Sequence, residues 1–288
     1  MSPATRRKII RWLVIILVNI LLIIGGLEVL LRTFDPLGIW AARRGVILYL
    51  EQMITHPTGY AIAEGEHDFT WHTIALADGT RYTPDSNETS NCTIAVIGDS
   101  FVYGMGVDDD ETLPNHIARN HNVRVINTGR IGYNAGRVVF LRYHYRADFY
   151  VYLHVDNDND PLDHYVIDPP RYTLNYHSAF NSYRTYVDWF VGGFSIPSTR
   201  RTLNLDYWMA MTVLTQDSRV LTFAFDDAEF GELGTLAQNT FQNVIGIGDV
   251  YMGHHVSAVD YHPNGEGHRR IADAMQPYID AAIPIYCD

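Results

Sequence analysis

The chain is short of cysteine and almost without lysine. Cys92 and Cys287 are its only cysteines and Lys8 its only lysine among 288 residues. Two cysteines so far apart in sequence do not make a thiolate metal site, though they can pair in an oxidising compartment. Positive charge is scarce beyond the amino end. Five of the 21 basic residues (Arg6, Arg7, Lys8, Arg11, Arg32) and one of the 33 acidic ones (Glu28) lie in the first 32 positions, which leaves 16 basic against 32 acidic residues in the remainder. A surface with that balance repels phosphate backbones, so no nucleic-acid partner is expected. Internal repeats and low-complexity tracts are also missing, which excludes solenoid and fibrous architectures. The Gly-x-Ser-x-Gly elbow of α/β-hydrolases is missing too, because Val102 stands where its last glycine belongs.

What the chain does have is apolar content, 47% of its residues, enough for a real core. One long apolar run stands apart. Trp12–Leu31 is 20 residues, interrupted only by Asn19 and Glu28. At 1.5 Å per residue it reaches about 30 Å, the thickness of a bilayer core. Basic residues precede it, so the amino end is expected to stay cytoplasmic and the rest to lie outside the cytoplasm. A cleaved signal peptide has a shorter apolar part closed by small residues. No Ala-x-Ala pattern closes this run, and an uncleaved anchor is the reading adopted.

The expected organisation is a basic tail over 1–11, a transmembrane helix over 12–31, a juxtamembrane and leading segment over 32–92, and an α/β domain over 93–288. In the leading segment, Leu37–Met53 suits a short helix at the membrane surface. Phe69–Tyr82 contains the hairpin signal Asp78-Gly79. From Thr93 strands and helices alternate. Strands are expected at Ile94–Gly98, Val123–Asn127, Phe149–Val155, Val220–Phe225 and Val244–Ile247. Helices are expected at Leu113–Asn120, Ala135–Arg146 and Gly265–Ile279. This order argues for a parallel sheet covered on both faces. An aromatic segment at about 168–215 is too long for a plain loop and suits a partly helical insertion. Its Tyr, Trp and Arg content over 171–208 fits a substrate groove or the packed underside of a lid equally well.

Two stretches carry groups capable of chemistry. In the first, the apolar run Thr93–Ile97 stops at Gly98-Asp99-Ser100, which places a serine hydroxyl at the carboxyl edge of a sheet. Open α/β sheets bind ligands at that edge. An ordinary Gly-Asp-Ser turn explains the same residues. The second stretch, just before the last helix, holds Asp260 and His262. A carboxylate can fix an imidazole tautomer, and the imidazole can deprotonate a serine. A polar helix cap at Asn264 with an incidental His262 is the competing account. Asp156–Asp160 lacks the glycine and glutamate of a calcium loop, since Pro161 and Ile167 stand in those places. His254, His255, His262 and His268 are not spaced on one helical face and suit isolated surface histidines. His154, inside a strand, suits a hydrogen-bonded core residue.

Taken together, these blocks resemble the SGNH (GDSL) hydrolases from Thr93 to the carboxyl terminus, with the long insertion unmatched. Gly98-Asp99-Ser100 is similar to the family's first block. Asn127-Thr128-Gly129-Arg130-Ile131-Gly132 is similar to the second. Asp156–Asp160 stands for the third, with Asn157 the best match for its asparagine and Asn159 a rival. Asp260, His262, Pro263-Asn264 and Gly267-His268 are similar to the last. Two departures stand out: Val155 replaces the third block's glycine, and the last block has Asp-x-His, with Val259 at the usual acid position.

The resemblance implies a three-layer α/β/α sandwich of flavodoxin-like topology with a five-stranded parallel sheet. It implies Ser100 as nucleophile, His262 as base and Asp260 as its orienting acid. Oxyanion donors would be the N–H groups of Ser100 and Gly132 and the Asn157 amide. No metal or organic cofactor is implied. The implied activity is ester hydrolysis outside the cytoplasm on an acylated small molecule, glycan or lipid. An O-acyltransferase using the same residues, or a non-catalytic envelope protein retaining the fold, are the alternatives. In such a fold the last helix starts at the catalytic edge and runs to the opposite one, which brings Cys287 toward Cys92 and leads us to expect a disulfide.

Overall fold

Strand Phe149–His154 shows how the body is built. All six of its residues are buried, as expected for a central strand covered on both faces. Its side chains alternate between two cores. Phe149, Val151 and Leu153 join one with Ile94 and Val96. Tyr150 and Tyr152 join the other with Ala95 and Ile97. The strand period of two thus divides one apolar run between two layers.

A computed structural model describes residues 3–35, 38–159, 205–225, 232–257 and 260–287. Four short strands lead: β1 (Met53–His56), β2 (Gly59–Ile62), β3 (Gly65–Asp68) and β4 (His72–Ala75). The main sheet contains β5 (Thr93–Ile97), β6 (Arg124–Asn127), β7 (Phe149–His154), β8 (Val220–Ala224) and β9 (Val244–Gly246). It runs in the order β6-β5-β7-β8-β9, with every pair parallel. The chain leaves β5 to one side for β6 and returns to the other for β7, so the strand order reverses at the carboxyl end of β5, where such sheets leave a crevice. On one face lie α4 (Leu113–His121) and the last helix, α8 (Gly265–Tyr286). On the other lie α5 (Ala135–His144), α6 (Leu205–Gln216) and α7 (Glu232–Thr240). This is the three-layer architecture and strand order that the sequence blocks imply.

The amino-terminal helix α1 runs from Pro3 to Phe34, so the basic residues expected as a tail form its first turns. It is long and apolar enough to cross a membrane. After it, α2 (Ile39–Glu51) turns Tyr49 and Leu50 toward Tyr103 and Met105, residues of the body. Its buried face is therefore given to the protein. The Asp78-Gly79 turn closes a short antiparallel pairing inside the hairpin expected over Phe69–Tyr82: Ala75 bridges Arg81, the Leu76 N–H donates to Thr80 O (2.9 Å) and the Tyr82 N–H to Ile74 O (2.8 Å). Strands β3 and β4 also pair across an earlier turn. At Arg81 the returning segment also meets the main sheet, its N–H donating to Asn127 O at the end of β6 (3.0 Å).

The Arg81 side chain fixes that junction. It is fully buried. Nε donates to Asp109 Oδ1 (2.6 Å), Nη1 to the carbonyls of Tyr103 and Gly104, and Nη2 to those of His72 and Val107. All five guanidinium protons are thereby used. Arg130, also buried, does the converse from the loop after β6: it donates to Tyr60 O, Thr128 O, Gly129 O and the Tyr145 hydroxyl. The leading segment is thus tied to the loops after β5 and β6 through groups that are costly to leave unpaired.

Helix α8 contains Pro277 and continues past Ile279, where the sequence pattern closes it, through Pro284 to Tyr286. Each proline forfeits a helix N–H, but the extension keeps Ala282 in the core and delivers Cys287 to Cys92. The two form a disulfide with Cα atoms 4.9 Å apart, at the amino edge of the sheet. The expected helical insertion is met only by α6; residues 160–204, with most of that segment, and Val259 lie outside the described residues.

The disulfide links the start of the first sheet strand to the end of the chain. Closing so long a loop is worth about 2–4 kcal/mol. Replacing both cysteines by serine is therefore expected to lower the thermal midpoint by about 5–10 °C. Reductant should lower the wild-type midpoint similarly and leave the double variant unmoved.

Candidate active site

Ser100 opens α3 (Ser100–Tyr103), a single turn directly after β5. Asp99 caps it, its carboxylate accepting the Phe101 N–H (2.9 Å). The turn closes tightly, with the N–H groups of Gly104 and Met105 both donating to Ser100 O. The loop after β6 crosses this turn at Gly129, where a Cβ would stand 2.2 Å from Tyr103 N. Only glycine lets the two backbones come so close.

The second stretch forms a hairpin that the sequence pattern does not announce. Strand β10 (His255–Ser257) pairs antiparallel with β11 (Asp260–Pro263). On a strand, residues two apart share a face, so Asp260 and His262 point the same way. This accounts for the Asp-x-His spacing. Asp260 Oδ1 lies 2.6 Å from His262 Nδ1 and also accepts the His262 backbone N–H (3.1 Å). His262 Nε2 lies 2.8 Å from Ser100 Oγ. Asn264 then caps α8 by accepting the Gly267 N–H (3.0 Å), so the capping account holds as well.

Burial alone would lower the His262 pKa, but the Asp260 carboxylate outweighs it and the net direction is up. Burial alone would raise Asp260; the imidazole, by charge and by hydrogen bond, brings it below the usual carboxylate range. The Ser100 hydroxyl has a second neighbour, Asp99 Oδ2, at 3.3 Å. Burial pushes Asp99 up, while the Phe101 N–H, His262 and the Asn157 amide oppose the rise.

Asn157 and Asn159 both lie on the single turn Asp156–Asn159 after β7. The Asn157 amide reaches the Asp99 carboxylate, beside Ser100; Asn159 is buried. Between them, Asp158 turns inward to accept the Val155 N–H (2.7 Å). Val155 itself is buried. Gly132 lies on the loop after β6 at φ +82°, exposed. That loop runs along the end of β5, the Arg130 N–H donating to Gly98 O (3.2 Å).

Sequence reasoning missed the bed under the imidazole. The Phe101 ring lies 5.1 Å from that of His262 and 5.8 Å from that of Tyr251, which in turn packs on Phe225. The apolar residue after Ser100 was a legible signal for Phe101; nothing local marks Tyr251. His268, expected at the surface, is fully buried, and burial with His116 nearby holds its pKa well below the ordinary value. It sits on the inner face of α8, one turn before Ala272. His154 is the core residue expected, its Nε2 2.9 Å from the Tyr207 hydroxyl. Among the described residues the one group with metal-ligand spacing is Cys92, Asp148 and Cys287, and its two sulfurs are spent in the disulfide.

No family model and no curated protein matches the chain. Solved structures similar to it include GDSL-like lipases and carbohydrate esterases. A protein from Desulfitobacterium hafniense described as lipolytic and of the G-D-S-L family is 10% identical, with 65% of this chain and 98% of that one covered and a TM-score of 0.35. A carbohydrate acetylesterase family member from Sinorhizobium meliloti is 15% identical, with 67% and 99% covered and a TM-score of 0.37. The salicylyl-acyltransferase SsfX3 is also 15% identical, with 67% and 55% covered and a TM-score of 0.35.

If His262 must be neutral to accept the Ser100 proton, kcat/KM should rise with pH through the His262 pKa. The raised direction puts that midpoint above the ordinary 6.5. Asp260→Asn should move the midpoint down and lower kcat by about 10²–10⁴-fold. A pH–rate profile of the two proteins checks both.

Proposed function

We propose that the chain is a membrane-anchored serine esterase of the SGNH type, cleaving an acyl ester through an acyl-serine intermediate. The observation that carries this reading is the unbroken line from Asp260 to His262 to Ser100, at 2.6 and 2.8 Å. His262 Nε2 takes the hydroxyl proton as Ser100 Oγ bonds to the ester carbonyl carbon. The resulting tetrahedral oxyanion is held by the N–H groups of Ser100 and Gly132 and by the Asn157 amide, each donor worth about 2.7–4 kcal/mol. Collapse breaks the bond to the alcohol oxygen, which leaves with the proton from His262. Water, deprotonated by the same imidazole, then attacks the acyl-serine, and the acid is released as Ser100 regains its proton. Asp260 keeps the ring in the tautomer with Nδ1 protonated and stabilises the imidazolium.

The anchor reading is supported by α1 and by the basic residues before its apolar run. Basic residues ahead of an apolar span favour an amino end in the cytoplasm and a catalytic domain outside it. The Cys92–Cys287 disulfide suits such an oxidising compartment. The substrate class is an ester on an acylated small molecule, glycan or lipid.

The test uses the full chain in detergent on a chromogenic short-chain ester. Ser100→Ala is expected to lower kcat/KM at least about 10³-fold. Equal rates for wild type and variant would remove the esterase reading. With a glycan acceptor in excess, free acid as the main product supports hydrolysis, whereas a transferred acyl group would reassign the same residues to acyl transfer.

A further inference from the structure

The anchor and the active site meet. Helix α1 ends at Phe34, and Gly38 stands at the start of α2. The described residues on either side, Asp35 and Gly38, are hydrogen-bonded. The Asp35 N–H donates to Leu31 O (3.0 Å), Asp35 O accepts the Gly38 N–H (2.9 Å), and Asp35 Oδ2 accepts the Ala41 N–H (2.7 Å). At no more than about 3.6 Å per residue, Gly38 lies within about 14 Å of the helix end.

Gly38 does not face solvent alone. A Cβ placed on it would stand 3.2 Å from Ser257 Cβ and 3.4 Å from Ser257 Oγ. Ser257 belongs to β10, half of the hairpin that carries the acid and the base. Its hydroxyl accepts the Asp260 N–H (3.1 Å). From there two further hydrogen bonds reach Ser100. Farther along, α2 touches the nucleophile's own loop, with the Tyr49 and Tyr103 rings 5.2 Å apart and Leu50 and Met105 in one cluster. The helix that follows the anchor thus touches both halves of the triad, one near each of its ends.

Orientation follows from the same contacts. The apolar side chains of α1 from Ile9 to Ile23 are exposed, so the helix projects from the body for most of its length; only near its end is Glu28 buried, paired with Arg32 (2.7 Å). The start of α2 therefore lies beside the carboxyl edge of the sheet. The amino edge, with its disulfide, is the far side. Helix α6 precedes β8, so its first turns also lie at the carboxyl edge, and they expose Leu205 and Met209. An apolar rim there suits a site that faces lipid.

We infer that the site takes its substrate from the membrane that anchors it, as an ester carried by an amphiphile in the same bilayer. The inference rests on the esterase reading and adds the substrate's location. Two sources share this chemistry, a lipid's own acyl ester and an acyl group on a lipid-borne headgroup. A soluble ester would react wherever it diffused, whereas a bilayer-borne ester gains the effective concentration that tethering confers.

The full chain is reconstituted in phosphatidylcholine vesicles and given three fluorogenic esters at equal bulk concentration. One is water-soluble, one sits on a lipid headgroup behind a short polar spacer, and one is the acyl ester of a glycerolipid. Each lipid probe is placed either in the protein's own vesicles or in separate ones. At least one lipid probe should be cleaved at least about tenfold faster in the same vesicle than in separate ones, and Ser100→Ala should abolish this. Which probe responds identifies the source. A 20-residue Gly/Ser insertion between Thr33 and Phe34, which leaves Asp35 and Gly38 in place, should cut the same-vesicle rate at least about threefold. The soluble-ester rate should stay within about twofold. Equal rates in the same and separate vesicles, with the soluble ester still cleaved, would overturn the inference and leave the esterase reading standing. No cleavage of any probe overturns the esterase reading and, with it, this one.

Discussion

The contact between Ser100 Oγ and His262 Nε2 joins residues 162 positions apart, and the sheet is what makes so distant a meeting reproducible. Parallel strands put all their carboxyl ends on one edge, so the loop after β5 and the hairpin before α8 are brought there by topology before any side chain is considered. Packing then sets the distance. The Ser100 turn is capped by Asp99, crossed by the loop at Gly129, and fixed from the outside by Arg81. The imidazole is held between a carboxylate at one nitrogen and the aromatic bed of Phe101 and Tyr251 under its face.

Much of this was legible because it follows from period and order. The five strands of the sheet are short apolar runs ended by turn residues, and helical patterns separate most of them. That alternation is enough to give a parallel sheet. Ser100 was legible as the polar residue that stops such a run. What stayed hidden depends on contacts between distant segments. The β10–β11 hairpin has strands of three and four residues, too short for a periodic signal. Yet it explains why an acid two residues from the histidine reaches it. The junction of the segment after Gly79 with the sheet rests on Arg81, whose five side-chain partners come from two separate stretches of chain. The extension of α8 past Pro284 is likewise a tertiary result, since buried side chains and the pairing of Cys287 outweigh the missing helix bond.

The leading segment shows the limit of reading charge from sequence alone. Arg81 and Arg130 are two of the few basic residues beyond the amino end, and in an acidic chain the natural place for them is the surface. Instead both are buried. Arg81 has one carboxylate and four carbonyls. Arg130 has three carbonyls and a phenol. Buried charges of this kind are weak sources of net stability, but breaking them is costly, so they fix which surfaces must meet. Here they fix the leading segment against the Ser100 turn and the loop that bears Gly132. The stretch between α1 and the sheet is accordingly part of the scaffold of the candidate site.

The Asp260–His262 pair carries a further constraint. A raised histidine pKa stabilises the fold below the unfolded value, and that contribution is lost as pH rises through the folded value. A lowered aspartate pKa stabilises above the unfolded value, and its contribution is lost as pH falls through the folded one. The ion pair is therefore strongest between the two folded values. The chemistry proposed for the site has to start from the other state, with the imidazole neutral, and pass through the charged one. The same carboxylate that makes the resting base harder to keep neutral is the group that stabilises the imidazolium once the serine proton has moved. An acid in this position trades some availability of the base for a lower barrier, and the hairpin spacing, which puts Asp260 within 2.6 Å of Nδ1, sets that trade toward the barrier.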